Sequence, residues 1–407
     1  MLSKIRIWIE SESDAIGLLL LLIASPLSPL ATLEELKERG LYTYLPSVDD
    51  ILKKNFQGGL SEKMREVLNV ALDSDREGTK KPLMRLYDKI ITNIRVQLEL
   101  MDYNLSQLYQ LISIFITLVP SILFSTVLFI NPSYSVSLLL GISIFSFFSS
   151  FLGLTIYPCE LRLSSPNIKY LLMYLFVIPT YHVISAKLIC NPLLASITIL
   201  SFPIMLMTYR KLREKLNLLK YSHELVEKAS LCLWNIFECI GIDDPEKLLR
   251  KRWYGISKAV ATTLYLIGIF GTDDVSDTIS GLEKMLREYI KSFNRLRSKT
   301  KVMLFYSIIE AAVSASIYAF LLYTLRYFCS LSVTGIPINI PSRSFLKYLE
   351  SIIDITFVLN SISLSVVTAT VREGNPLYFI VYLPVIGLSL WFAYDFSLTF
   401  IRMLLVI

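Results

Sequence analysis

The sequence predicts an all-α polytopic membrane protein with two cytoplasmic helical-bundle domains, each followed by transmembrane helices. Hydrophobic residues make up 54% of the 407 residues and charged residues 18%, fewer than the about 25% that is usual in soluble proteins. The charges are also clustered, since 14 of the 40 Lys and Arg residues lie in 1–108 and 18 lie in 208–301. The remaining stretches contain apolar runs of about 20 residues, the length that a bilayer-spanning helix needs.

These alternating stretches predict four domains. Residues 1–108 form a first cytoplasmic helical domain, 109–209 form four transmembrane helices, 210–301 form a second cytoplasmic domain, and 302–407 form about three further transmembrane helices. Helices are expected because lipid leaves no partner for open backbone groups. The seven predicted spans are Tyr109–Ile130, Ser135–Tyr157, Tyr170–Ile189, Pro192–Tyr209, Val302–Leu325, Ile352–Val371 and Leu377–Ile407.

The apolar run Ile16–Ala24 near the N-terminus has two interpretations. It follows Lys4 and Arg6 and precedes small residues, as in a signal peptide. It is also short, preceded by acidic residues and ended by Pro26. We favour a buried helix of the first cytoplasmic domain, because the run is too short to span a bilayer.

Local signals predict further helices in this domain. Thr32 to Glu35 has a capping-box pattern, and Gly40 stands where that helix would end. A second helix is expected to begin at Ser47-Val48-Asp49-Asp50, and a third at Ser61.

Each charged stretch ends in a long amphipathic helix that continues into a span. One apolar stripe runs from Leu83 to Leu105 and the other from Ile279 to Leu296, about 200 residues later. The repeated order of helical bundle, amphipathic helix and membrane helices suggests an internal duplication.

The distribution of basic residues in the loops predicts the topology. Arg210 to Lys215 follow the fourth span closely and mark a cytoplasmic end. Four spans then return the chain to the side of residues 1–108, so both charged domains are cytoplasmic. Arg326, Arg343 and Lys347 fall on the outer side in this arrangement, which the positive-inside rule disfavours.

The five cysteines give little evidence for a metal site, since no CxxC pair occurs. Cys232 and Cys239 are seven residues apart, and we interpret them as packing residues on one helix face. Cys190 and Cys329 both fall on the predicted outer side, where a disulfide between them is one hypothesis.

Motifs for catalysis are not found. The sequence has no GxxxxGK[ST], HExxH or GxSxG motif and two histidines in total. We therefore expect a protein that is not an enzyme and has no catalytic residues, cofactor or metal. Three acidic residues, Glu310, Asp354 and Asp395, lie within or beside predicted spans, where a charge suggests function. They leave open an alternative, a secondary transporter or permease, but the position of Asp354 and Asp395 near the edges of predicted spans favours a structural role.

The basic residues of 208–301 suggest a binding surface. This stretch has 18 basic and 12 acidic residues. Those nearest the membrane are explained by anionic lipids. The cluster Arg250-Lys251-Arg252 is far from any predicted span, which favours a protein partner with an acidic face. Nucleic acid is not expected, since the rest of the domain is only moderately basic.

Several stretches resemble the type II secretion F-domain family, the membrane platform proteins of type IV pilus-like machines. Glu224–Leu231 is similar to the opening helix of that domain, and Trp253–Ala259 to the segment before its second helical pair. Gly281–Lys301 resembles its last cytoplasmic helix, and Ala369–Gly374 resembles the glycine-bearing turn between the last membrane helices. The turn after Gly374 lacks the further glycine and histidine of many archaeal members.

The resemblance implies a scaffold for archaeal pili, an archaellum or a related secretion system. A hexameric secretion ATPase would bind the cytoplasmic domains, and pilin subunits and membrane lipids would be further partners, with a homodimer as another expectation. The residues expected to contact the ATPase are Arg250, Lys251, Arg252, Lys258 and Arg287. The expected location is the cytoplasmic membrane.

Overall fold

The computed structural model describes residues 2–54, 56, 59–166, 168–186, 191–232, 235–250, 253–271, 275–330 and 342–405. All regular secondary structure in these ranges is helical, so the prediction of an all-α protein is confirmed. The described residues fall into two compact units. Unit 1 comprises 1–99, 158–164 and 211–296, and unit 2 comprises 100–157, 165–210 and 297–407.

Ten helices of the described residues contribute to unit 1, and three of them continue into unit 2. The three helices shared by both units are α5, α10 and α14. The helices of unit 1 are α1 (Leu2–Ala24), α2 (Pro29–Glu38), α3 (Val48–Leu52), α4 (Glu62–Glu77), the first part of α5 (Lys81–Ser113), the last part of α10 (Pro192–Ser230), α11 (Ile236–Cys239), α12 (Glu246–Arg250), α13 (Ile256–Phe270) and the first part of α14 (Val275–Ser330). A 3₁₀ turn at Cys159–Leu161 completes the unit.

The core of unit 1 is built around α1 and α13. The side chains from Leu18 to Leu22 are completely buried, so the N-terminal apolar run lies in the interior of this unit. Gly17 allows α1 to approach α13, because a Cβ at this position would lie 3.2 Å from the Cβ of Ala259. The apolar run therefore packs against another helix of the unit, as the interpretation as a buried helix expects.

The starts of the short helices follow from their capping residues. Ser47 and Asp50 form the predicted capping box of α3, and Ser61 caps α4. The helix predicted from Thr32 begins earlier, because Ser28 is its cap and Pro29 occupies its first turn. Thr32 is buried instead, with its hydroxyl 2.7 Å from that of Ser25. Gly40 has φ of 65° just after α2, as expected for a residue that ends a helix.

Two predicted domains meet in this single unit. The sequence divides 1–108 from 210–301, whereas the structure places 1–99 and 211–296 in one compact body. The packing of α1 on α13 is the clearest link between the two stretches. The internal duplication stays a prediction.

Unit 2 contains the apolar helices. They are the last part of α5, α6 (Ser125–Ile130), α7 (Pro132–Ser149), α8 (Gly153–Ile156), α9 (Val177–Ser185), the first part of α10, the last part of α14, α15 (Arg343–Glu373) and α16 (Phe379–Leu405). Two short π-helical stretches, Ile114–Leu118 and Pro120–Phe124, join α5 to α6, and 3₁₀ turns precede α8, α9 and α16.

Among the described residues, six helices are long and apolar enough to cross a membrane, so length and composition indicate a multi-pass membrane protein. They are Lys81–Leu128, Ser133–Ile156, Pro192–Ser230, Val275–Cys329, Ser344–Glu373 and Pro376–Leu404. Six of the seven predicted spans overlap them. The seventh, Tyr170–Ile189, does not qualify, because its described part is a 3₁₀ helix, Ile168–Phe176, followed by the nine-residue α9.

The cysteines differ from the prediction. Cys232 and Cys239 form a disulfide, so they are not merely packing residues. The chain turns between the end of α10 and the start of α11, which brings the two thiols together although no single helix carries both. Cys190 lies outside the described residues, and its pairing with Cys329 stays a prediction.

Candidate functional site

The basic cluster expected to bind a partner begins at the end of α12. Asp244 caps this short helix by accepting the N–H of Glu246 at 3.0 Å. Arg250 is exposed over 72% of its side chain and lies 2.6 Å from the Glu246 carboxylate. Exposed ion pairs of this kind contribute only about 0–1 kcal/mol, so Arg250 can exchange its partner at little cost. Lys251 and Arg252 lie outside the described residues.

Trp253 fixes the chain directly after this cluster. The indole N–H donates to the carbonyl of Leu248, and the ring stacks on that of Tyr221 at 5.9 Å between centroids. The buried indole therefore attaches the end of the basic cluster to the core of unit 1.

Lys258 is half-buried, and its ammonium is turned towards other residues of unit 1. Its ammonium donates to the carbonyl of Leu41 at 3.1 Å and lies 3.7 Å from the centre of the Tyr42 ring. Burial lowers the pKa of Lys258, and the carboxylates of Asp14 and Glu10 raise it in part. These contacts give Lys258 a structural role, while its predicted contact with a partner stays a prediction.

Arg287 is exposed on α14 and pairs with Glu283 one turn earlier. The Glu283 carboxylate also lies 4.0 Å from Nε2 of His223. Arg250 and Arg287 are therefore the two described members of the predicted set whose charges face solvent, and both retain an exchangeable intrahelical partner.

Glu310 is buried in unit 2 within a cluster of hydroxyl groups. Its carboxylate accepts hydrogen bonds from Ser113, at 2.9 Å, and from Thr117. Beside it, the Tyr306 ring stacks on that of Tyr109 at 4.3 Å, and the Tyr306 hydroxyl donates to the Tyr109 carbonyl at 2.8 Å. Glu310 thus joins α14 to the end of α5, a role that requires no transported ion.

Asp354 caps the start of another helix. It lies on α15, and its two carboxylate oxygens accept the N–H groups of Leu193 and Leu194 at 2.8 and 3.0 Å. These are the first backbone donors of α10, because Pro192 has none. Asp354 also lines a cavity of about 540 Å³, whose lining includes neither Glu310 nor Asp395. Asp395 is exposed, so the three acids do not converge on this cavity.

One buried acid was missed by the sequence analysis. Glu373, at the end of α15, is completely buried. Its Oε1 accepts the Tyr382 hydroxyl at 2.7 Å and lies 3.5 Å from Nη2 of Arg297. Gly374, with φ of 68°, ends the helix immediately afterwards. The signal was present, because an acid preceded the glycine at the end of a predicted span.

Neither a metal-binding group among the described residues nor a similar protein indicates the function of this chain. In the described ranges, no group of three or more His, Cys, Asp or Glu residues could hold a metal ion. The chain matches no protein-family model, and no curated protein or solved structure is significantly similar to it.

Proposed function

We propose that the chain is the membrane platform of a type IV pilus-like assembly machine, a scaffold without chemistry of its own. In this role it lies in the cytoplasmic membrane and couples a cytoplasmic hexameric ATPase to the insertion of pilin subunits into a filament. The observation that carries the proposal is the pairing of α5 with α14, two helices that each contribute residues to both units.

The pairing is built from polar contacts in unit 1. The Tyr87 hydroxyl of α5 donates to the Met285 carbonyl of α14 at 2.7 Å, and Arg95 lies 3.4 Å from Glu288. These contacts hold the two amphipathic helices together where their sequences are charged.

In unit 2 the same two helices are paired again. Asp102 and Lys299 form an ion pair at 2.6 Å, and the stacked rings of Tyr109 and Tyr306 follow about two turns later. An unbroken helix passes a displacement along its axis, whereas a loop absorbs it. Paired helices that continue from a polar unit into an apolar one suit a part that another protein's ATP hydrolysis moves.

The transporter alternative has less support. It needs acids that line one pathway, yet Glu310 is held by Ser113 and Thr117 and Asp354 by the start of α10. Both acids already have structural partners.

The test is to change Arg250, Lys251 and Arg252 together to Glu and to measure binding of the partner ATPase. We expect the full-length protein, purified from its native membranes, to bring down a hexameric ATPase, and the triple variant to bind it at least about tenfold more weakly, because opposite charges at an interface become like charges. Mass spectrometry of the purified complex and a titration with the ATPase measure the two quantities.

The matched control changes Arg65, Arg76 and Arg85, three exposed residues of α4 and α5, to Glu. It alters the net charge of unit 1 by the same amount and should leave the affinity unchanged. Equal weakening in both variants would exclude the Arg250 cluster as the docking site, and the absence of an ATPase from the purified complex would reject the platform itself.

A further inference from the structure

The cavity next to Asp354 collects basic residues that the platform proposal does not explain. It lies within unit 2 where five helices begin or end, with Arg326 from α14, Lys347 from α15 and Arg402 from the last turn of α16. Asp354 and the start of α10 also line the cavity. The topology inferred from loop charge places Arg326 and Lys347 on the outer side, where basic residues are disfavoured without a local partner.

The charges in the cavity do not cancel. Arg326 is neutralised by Glu350 at 2.6 Å, and the carboxylate of Asp354 is occupied by two backbone N–H groups. Lys347 and Arg402 have no described carboxylate within ion-pairing distance, and no further acid lines the cavity. Two cations therefore face a space of about 540 Å³, which falls in the range of about 300–1,000 Å³ that is typical of small-molecule sites.

The rest of the lining is amphipathic. The hydroxyl-bearing residues Tyr181, Ser185 and Ser351 line the cavity together with the cations, and Ile178, Ile355 and Leu398 supply an apolar part of the lining. The ends of membrane-spanning helices lie at the depth of lipid headgroups. A ligand that matches this lining has an anionic head and an apolar tail.

We propose that this cavity binds the phosphate group of an anionic phospholipid, held by Lys347 and Arg402, with the beginning of its acyl chains against the apolar part of the lining. Arg and Lys are the usual ligands of phosphate oxygens, and charge-assisted hydrogen bonds are about twice as strong as neutral ones. The bound lipid supplies a negative charge for Lys347 and Arg402, which have no described carboxylate partner. The proposal is independent of the platform function.

The experiment is a lipid titration of the full-length protein followed by native mass spectrometry, with phosphatidylglycerol as the anionic probe and phosphatidylcholine as the zwitterionic one. We expect a single preferred phosphatidylglycerol site in the unmodified protein. The double variant Lys347→Gln with Arg402→Gln should bind phosphatidylglycerol at least about tenfold more weakly, since a tenfold loss of affinity corresponds to one good interaction. The charge-conserving pair Lys347→Arg and Arg402→Lys should retain the binding, which separates loss of binding from loss of folding.

Arg210→Gln with Lys301→Gln is the matched control. It removes one exposed arginine and one exposed lysine from α10 and α14 of the same unit, away from the cavity lining. Equal weakening by the control pair would overturn the proposal, because binding would then reflect general surface charge. The absence of a preferred phosphatidylglycerol site would also overturn it, and if inorganic phosphate alone then binds in a way that depends on Lys347 and Arg402, the ligand is a free anion.

Discussion

Lys258 illustrates how single charged residues are used in the interior of unit 1. The sequence analysis predicted that Lys258 contacts the same partner as Arg250 to Arg252, which lie only a few residues earlier. The helix α13 turns it inward, where the Leu41 carbonyl and the Tyr42 ring receive its ammonium. Which face of a helix a lysine occupies depends on tertiary packing, and this the sequence did not reveal.

We predict that Lys258→Met destabilises the protein. Methionine keeps the length of the side chain but removes the charge, so Asp14, itself buried, loses the cation that its carboxylate interacts with. A lost hydrogen bond from a charged group costs about 1.5–3 kcal/mol, equivalent to a fall in Tm of several degrees for about 200 residues. Thermal unfolding in detergent measures the change.

Lys247→Met is the control for this substitution, because Lys247 is exposed on the neighbouring α12. It should leave Tm within about 1 °C of the unmodified protein, as most surface substitutions do. If the two variants unfold at the same temperature, the interior role of Lys258 is wrong and its prediction as a partner contact gains weight.

At the scale of the element, α10 depends on a residue far away in the sequence. Its first two backbone donors are satisfied by Asp354 of α15, 160 or 161 positions later. A carboxylate at a helix start also interacts favourably with the helix dipole. The intramembrane acid that suggested transport therefore acts as a cap supplied by another helix.

We expect Asp354→Ala to lower Tm by several degrees in detergent, since the loss of a cap costs about 0.5–2 kcal/mol and two buried N–H groups lose their acceptor. The Tm of Asp354→Asn should lie between those of Asp354→Ala and the unmodified protein, because an amide offers one acceptor oxygen for two donors. Asp395→Ala, which removes an exposed acid of the same unit, should have little effect. A larger fall in Tm for Asp395→Ala than for Asp354→Ala would contradict the role of Asp354 as the cap of α10.

Elements were easier to predict than their assembly. Apolar runs and capping residues are local, so most spans and the starts of α3 and α4 followed from short stretches of sequence. The Cys232–Cys239 disulfide and the Glu373–Arg297 pair depend on how the chain turns and on contacts between distant helices. Arg402 and Lys347 are separated by 55 positions yet line one cavity, and no local pattern connects them.

For the whole molecule, the residue ranges that make up unit 1 constrain the path of the chain. Residues 158–164 and 211–296 belong to this one unit, so the intervening segment must leave it and return. Helix α10 provides one passage. The other is the segment from Ile168 to Ser185, nine 3₁₀ residues and nine α-helical ones, about 30 Å long at about 2.0 and 1.5 Å per residue.

The surface of that segment agrees with a passage through lipid. Leu172, Leu175, Phe176 and Ile178 are all at least 60% exposed, which is unfavourable in water for so many large apolar side chains. We infer that this segment crosses the membrane although it is not a regular α-helical span. With this crossing, four spans would separate residues 1–99 from 211–296 and both stretches would lie on the same side, as the sequence predicts.

This topology predicts the labelling of single cysteines by a membrane-impermeant maleimide in intact cells. In a background in which the five native cysteines are serine, Glu62→Cys, Arg213→Cys and Lys284→Cys should all be protected until the membrane is permeabilised. Their positions are exposed on one unit, and the positive-inside rule predicts that this unit is cytoplasmic. Tyr134→Cys, which is exposed in the first turn of α7, should be labelled from outside and serves as the positive control. Labelling of Arg213→Cys without labelling of Glu62→Cys would mean an odd number of crossings between them and would remove the segment Ile168–Ser185 from the set of spans.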